Sequence, residues 1–180
     1  MQYRQAMPVE LDFQPDPREA SAASAADSAA LFGETLLVVP VRFRVEGRDV
    51  LPISPLSTTT WSVDPSGTAT PKEPVVFEHW TRQPLLGFMS GLRQAIEAAV
   101  RSGQSRCYLI EDRDLVFTLR DQSRLEVTSP SRTTTAVAPI HEFTDAFRRF
   151  EKNIHDWLMG EAPHLTRHRS WAEWFPPPGP

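Results

Sequence analysis

The chain has 180 residues, 40% of them apolar, enough to bury the core of one domain without covalent staples. Its one cysteine, Cys107, excludes an internal disulfide framework and a cysteine-based zinc site, so the fold does not depend on an oxidising compartment. The net charge of −4 lies in residues 1–34, where six acids (Glu10, Asp12, Asp16, Glu19, Asp27, Glu34) meet two arginines (Arg4, Arg18); the rest is balanced and shows no basic face for nucleic acid.

Val9, Leu11 and Phe13 alternate with polar neighbours, as in a short strand. "PDPREASAASAADSAALFGE" (15–34) has little apolar bulk and reads as a flexible acidic segment, with a short helix over Ala20–Leu31 as the alternative. No apolar run approaches the roughly 18 residues of a membrane helix. "MQYRQAMPVELDF" is not a basic region followed by an apolar stretch, so a cytoplasmic location is expected.

A single domain is expected over 35–175, followed by a proline-rich tail at 176–180. "TLLVVPVRFRVEGRDVLPI" places Leu37, Val39, Val41, Phe43 and Val45 on one face of a strand and Arg42 and Arg44 on the other. "EGRD" (46–49) reads as a hairpin turn, and Pro40 predicts an edge strand or a bulge. Thr59, Trp61 and Val63 alternate ahead of a "DPSG" turn, and "PVVFEHW" (74–80) has the composition of a further strand.

The period then changes. Leu85, Phe88, Met89, Leu92 and Ile96 recur at helical spacing between Pro84 and Gly103, with Gly87 and Gly91 inside the helix, where they allow a close approach to the sheet or are simply tolerated. Strands follow at Cys107–Glu111, Leu115–Arg120, Arg124–Thr128 and Arg132–Val137, joined by links too short for anything but antiparallel neighbours. Their alternation implies one buried and one wet face. A second helix carries Ile140, Phe143, Phe147, Phe150, Ile154 and Trp157 or Leu158 as its apolar stripe. The sum is a two-layer α+β domain: a largely antiparallel sheet of six to eight strands with two amphipathic helices packed on one face.

Chemistry-bearing residues are sparse. "EDRD" (111–114) gathers Glu111, Asp112 and Asp114, but it lacks the spacing of a calcium loop, and Arg113 competes for the carboxylates; a turn needs such residues anyway. His164 and His168 would share a helical face, but the H-E-x-x-H pattern is missing, so no metal or cofactor is expected. Cys107 lies where the β pattern is strongest and reads as a buried strand cysteine. Neither a G-x-S-x-G elbow nor a phosphate-binding glycine loop is present. Trp171 and Trp174, three apart in "SWAEWF", either fold back over the domain or anchor a partner.

The meander "CYLIEDRDLVFTLRDQSRLEV", the link "TTTAVAPIHEF" and the closing helix "FTDAFRRFEKNIHDWL" together resemble small bacterial α+β proteins of the polymorphic-toxin immunity type. The resemblance is architectural and transfers no residue roles. It implies a stoichiometric protein binder that neutralises a toxin or effector. Glu111, Asp112 and Asp114, with Trp171 and Trp174, are then the candidate partner-binding residues, facing a partner with a basic surface. Two other readings stay open: an accessory or chaperone-like subunit of a larger assembly, and a small enzyme or ligand binder in which Glu111, Asp112, Asp114, His141 or His155 converge.

Overall fold

The alternating and helical stripes build α+β layers in a computed structural model that describes residues 8–23, 37–51, 61–63, 69–71, 80–109, 113–129 and 134–177. The elements are β1 (Val9–Phe13), α1 (Pro17–Ala22), β2 (Val38–Val45), β3 (Arg48–Asp49), β4 (Trp61–Val63), β5 (Ala69–Pro71), β6 (Thr81–Pro84), α2 (Leu85–Ser102), β7 (Gln104–Leu109), β8 (Arg113–Asp121), β9 (Arg124–Ser129), β10 (Thr134–Pro139), α3 (Ile140–Glu161), a 3₁₀ helix (Pro163–Arg167) and α4 (Trp171–Trp174).

The strands form two antiparallel four-stranded sheets rather than one. In the first, β2 is central: β1 pairs along one edge, and β6 and β3 share the other. The second is the meander β10-β9-β8-β7, and β4 pairs with β5 apart from both. The two large sheets meet where Arg48 Nη1 donates to the Thr135 carbonyl at 3.0 Å, a side-chain contact rather than a shared ladder.

Local chemistry explains most boundaries. Glu46 (φ 50°) and Gly47 (φ 73°) form a two-residue turn with both positions left-handed, the geometry that matches strand twist in a tight hairpin. Gly103 closes α2 in the left-handed region (φ 89°), its N–H donating to the Ala99 carbonyl at 2.8 Å. Asp16 Oδ1 accepts from Arg18 N–H at 2.9 Å and Pro17 opens α1, so part of the segment expected to be flexible is a capped helical turn.

Pro40 is not on an edge strand, since β2 is paired on both sides. Its missing N–H falls where β1 ends: Gln14 N–H reaches the Pro40 carbonyl at 2.9 Å, and the return bond that proline cannot make lies just past Phe13. Residues 81–84, read from the sequence as the approach to α2, instead form β6 against Val38–Val41. Of the strand expected over 74–80, residues 74–79 lie outside the described residues.

Both long helices cover the inner faces of the sheets. Phe43 from β2 stacks on Phe117 from β8 at 6.4 Å between centroids, and Phe143 from α3 meets both edge-on at 6.4 and 6.3 Å. A second aromatic group joins β1, α2 and α3, with Phe13 and Phe88 each edge-on to Phe150 at 6.0 and 6.2 Å. Val9, Phe13, Ala20 and Ala23 are buried in the same core, so the change of composition at residue 34 is not a break in the packing. No described helix is long and apolar enough to cross a membrane.

Candidate functional surface

The alternation that buries Leu115, Phe117, Leu125 and Val127 turns the other half of each meander strand outward. Register fixes the rows on that outer face. Arg106, Val116, Thr128 and Thr135 lie across the four strands, flanked by Tyr108 beside Asp114 and by Gln104, Thr118, Glu126 and Val137. Arg106 Nη1 bonds Asp114 Oδ2 at 2.8 Å, and Thr128 and Thr135 share a hydroxyl contact at 3.3 Å. An irregularity in register between Leu119 and Asp121 lets Arg120 fold over Glu126 in a bidentate pair, Nε to Oε2 at 2.8 Å, which leaves Glu126 only 8% exposed. Tyr108 stands at the open side of this face with 77% of its surface exposed.

Both long helices pack against the inner faces. The outer face therefore offers a broad surface of short polar side chains, internally neutralised charges and one projecting aromatic ring. Sequence reasoning did not single out Tyr108 or Arg106. The signal was present: counting alternately from the inward Cys107 and Leu109 puts both on the wet face.

The acidic turn is only partly described. Leu109 stands opposite Arg113, so three residues, 110–112, lie between the paired positions; Glu111 and Asp112 fall outside the described residues. Asp114 sits on β8 itself, its charge already matched by Arg106.

The aromatic C-terminus folds back. Trp174 is 5% exposed and stacks on the His168 ring at 4.8 Å, while Trp171 packs against Phe175 at 4.6 Å and His155 at 5.7 Å. Arg93 of α2 pins this segment: its guanidinium bonds the carbonyls of Glu173 and Trp174, pairs with Glu151 of α3 and covers the Phe147 ring at 5.6 Å. Trp174 thus faces the chain's own interior, and Trp171 retains only part of its surface.

The four described histidines do not gather. His164 and His168 lie on and after a 3₁₀ helix, where residues four apart no longer share a face. His164 Nε2 contacts the Ala23 carbonyl at 2.8 Å, and buried His168 accepts from Ser170 N–H through Nδ1 at 3.1 Å. His141 and His155 sit fourteen residues apart on α3, about 21 Å along its axis. Among the described residues no group of three or more His, Cys, Asp or Glu side chains is placed to hold a metal ion. Burial pushes the Cys107 thiol up to about 12, so it is not a nucleophile near neutral pH.

Among the described residues, two depressions are lined by polar side chains. One of about 270 Å³ lies between β1 and α3, where Asp12 and Arg42 face each other at 3.5 Å beside Glu10, Arg149 and Asn153. The other, of about 540 Å³ and more open, lies between the ends of α2 and α3 and holds His141, Asp145 and Arg148. Neither brings a base to a nucleophile. Comparisons with protein-family models, curated proteins and solved structures find no match for this chain.

Proposed function

We propose that this chain is a non-catalytic protein-binding domain that meets its partner through the outer face of the β7–β10 meander, and that the partner is a toxin or effector which it neutralises. The observation that carries the reading is Tyr108, 77% exposed on a sheet face whose charges are already paired among themselves. An aromatic ring on a rigid strand adds contact area at little entropic cost, the character of an interface anchor. The internal pairs Arg106–Asp114 and Arg120–Glu126 fix charged side chains in place, so fewer rotamers are lost on association. The net negative charge of the first 34 positions, with Glu111 and Asp112, supplies long-range attraction to a basic partner surface. The architectural resemblance to immunity proteins supports the nature of the partner.

The test is co-production with the protein encoded beside this chain's gene. Rescue of growth and a one-to-one complex are expected. Tyr108→Ala combined with Thr135→Lys should abolish rescue while leaving stability within about 1 kcal/mol of the parent, because both side chains are exposed and neither pairs with a buried charge. Undiminished rescue by the folded double variant rejects this face. Failure of the unaltered chain to bind or rescue rejects the neutralising role.

A further inference from the structure

β7 is the outer strand of its sheet, and its backbone shows which groups are open. Leu119 N–H donates to the Gly103 carbonyl at 2.8 Å, so residues 103, 105, 107 and 109 form the hydrogen-bonded positions of the ladder with β8. Gln104, Arg106 and Tyr108 therefore point their N–H and C=O groups away from the sheet. The Gln104 carbonyl takes the Ser102 hydroxyl at 3.1 Å, and the Tyr108 carbonyl has only a distant contact with Cys107 Sγ at 3.9 Å. Among the described residues nothing pairs with the three N–H groups.

Two other outer strands make contacts of their own. β1 packs against α3, and Arg48 reaches the Thr135 carbonyl on β10. The sequence of β7, QSRCYL, contains no proline and no lysine, and its ladder with β8 has no bulge. Its one charge, Arg106, is matched from β8 by Asp114 rather than from outside.

We propose that a second copy of this chain occupies this edge, the two β7 strands pairing antiparallel about a two-fold axis to form one continuous eight-stranded sheet. Hydrogen-bond phase limits the symmetric registers that engage Arg106 to a few. The register with Arg106 opposite its own symmetry mate sets like charges side by side. The register displaced by two residues sets Arg106 opposite Tyr108 of the second copy, and the reverse, so each guanidinium lies against a phenol ring. Because Asp114 already balances Arg106, the edge needs no carboxylate from its occupant, which favours a second uncharged-but-for-arginine strand over an acidic one. The contact is small, so the dimer is reversible and grows with concentration. It goes beyond the proposed partner interaction: the joined outer faces make a wider surface, with both tyrosines at the seam.

Sedimentation velocity on the full chain tests this. A concentration-dependent shift from monomer to dimer is expected, with amides of Arg106 and Tyr108 gaining hydrogen-exchange protection in step. Arg106→Pro removes an outward N–H and the guanidinium while sparing the bonds to β8, and should give a folded monomer. Tyr108→Ala, which leaves the edge backbone intact, should weaken the dimer several-fold. If Arg106→Pro does not fold, the amide protection and the Tyr108→Ala shift decide. A monomer at every concentration overturns the proposal, as does a dimer unaffected by both variants. A monomer whose β7 amides become protected only when the partner is added also overturns it, assigning the edge to a foreign strand.

Discussion

Gly91 and Cys107 face each other where α2 lies on β7. A Cβ built on Gly91 would meet Cys107 Sγ at 3.5 Å, an ordinary contact. The close approach therefore does not require glycine at 91, and alanine removes the helix penalty. Gly91→Ala should raise stability by about 0.5–1 kcal/mol in denaturant unfolding; a loss would mean that α2 must shift to accept the methyl. Cys107 is 1% exposed and should resist alkylation at pH 8 until the chain unfolds. Its thiol titrates near 8.5 in an unfolded chain but is pushed up to about 12 in the fold. Between these values the folded state holds more protons, so this contribution is intact below about pH 8.5 and is lost as pH rises, at about 1.4 kcal/mol per pH unit within the window. The difference between the parent and Cys107→Ala in denaturation at pH 8, 9.5 and 10.5 isolates it; a difference that does not change with pH removes the claim. The burial of Cys107 was legible in the sequence because strand alternation reaches every second residue. The pinning of Trp174 was not: the sequence left it between folding back and anchoring a partner, and Arg93 lies 81 positions away.

The elements divide along the same line. The stripe Phe143, Phe147, Phe150, Ile154 and Leu158 is buried as periodicity requires, and α2 starts after Pro84 and stops at Gly103. These helices were readable because one buried face repeats over many turns. β6 and α1 were not. Four residues give too few repeats to show a period, and Thr81 and Gln83, the inward pair of β6, are polar. The C-terminal segment is held by a few polar bonds rather than by a stripe. Arg93→Met keeps an apolar stem over Phe147 but deletes every donor to Glu151, Glu173 and Trp174. It should cost about 2 kcal/mol and open the segment 163–177 to proteolysis, with a red shift in tryptophan emission. Cleavage at the parent rate would show that Leu165 and Trp174 hold the segment without Arg93.

At the scale of the molecule, Phe43, Phe117 and Phe143 join both large sheets to α3, so the sheets should unfold together. Phe117→Ala should cost about 3–5 kcal/mol, and circular dichroism and tryptophan fluorescence should still report one coincident transition. Separate transitions in the parent chain would show the two sheets to be independent. By itself the sequence determined the α+β class, the two amphipathic helices, the antiparallel meander with its wet face and the sparseness of catalytic groupings, because each rests on local periodicity or on residue types that spacing can exclude. Only the tertiary structure decided that the described strands split into two large sheets and a separate pair, that residues 9–23 join the core, that Trp174 is spent internally and that no described residue pairs with the outer edge of β7. Those outcomes depend on pairing between segments far apart in the chain, and the energy of such a pairing is set by both partners and by the geometry that brings them together.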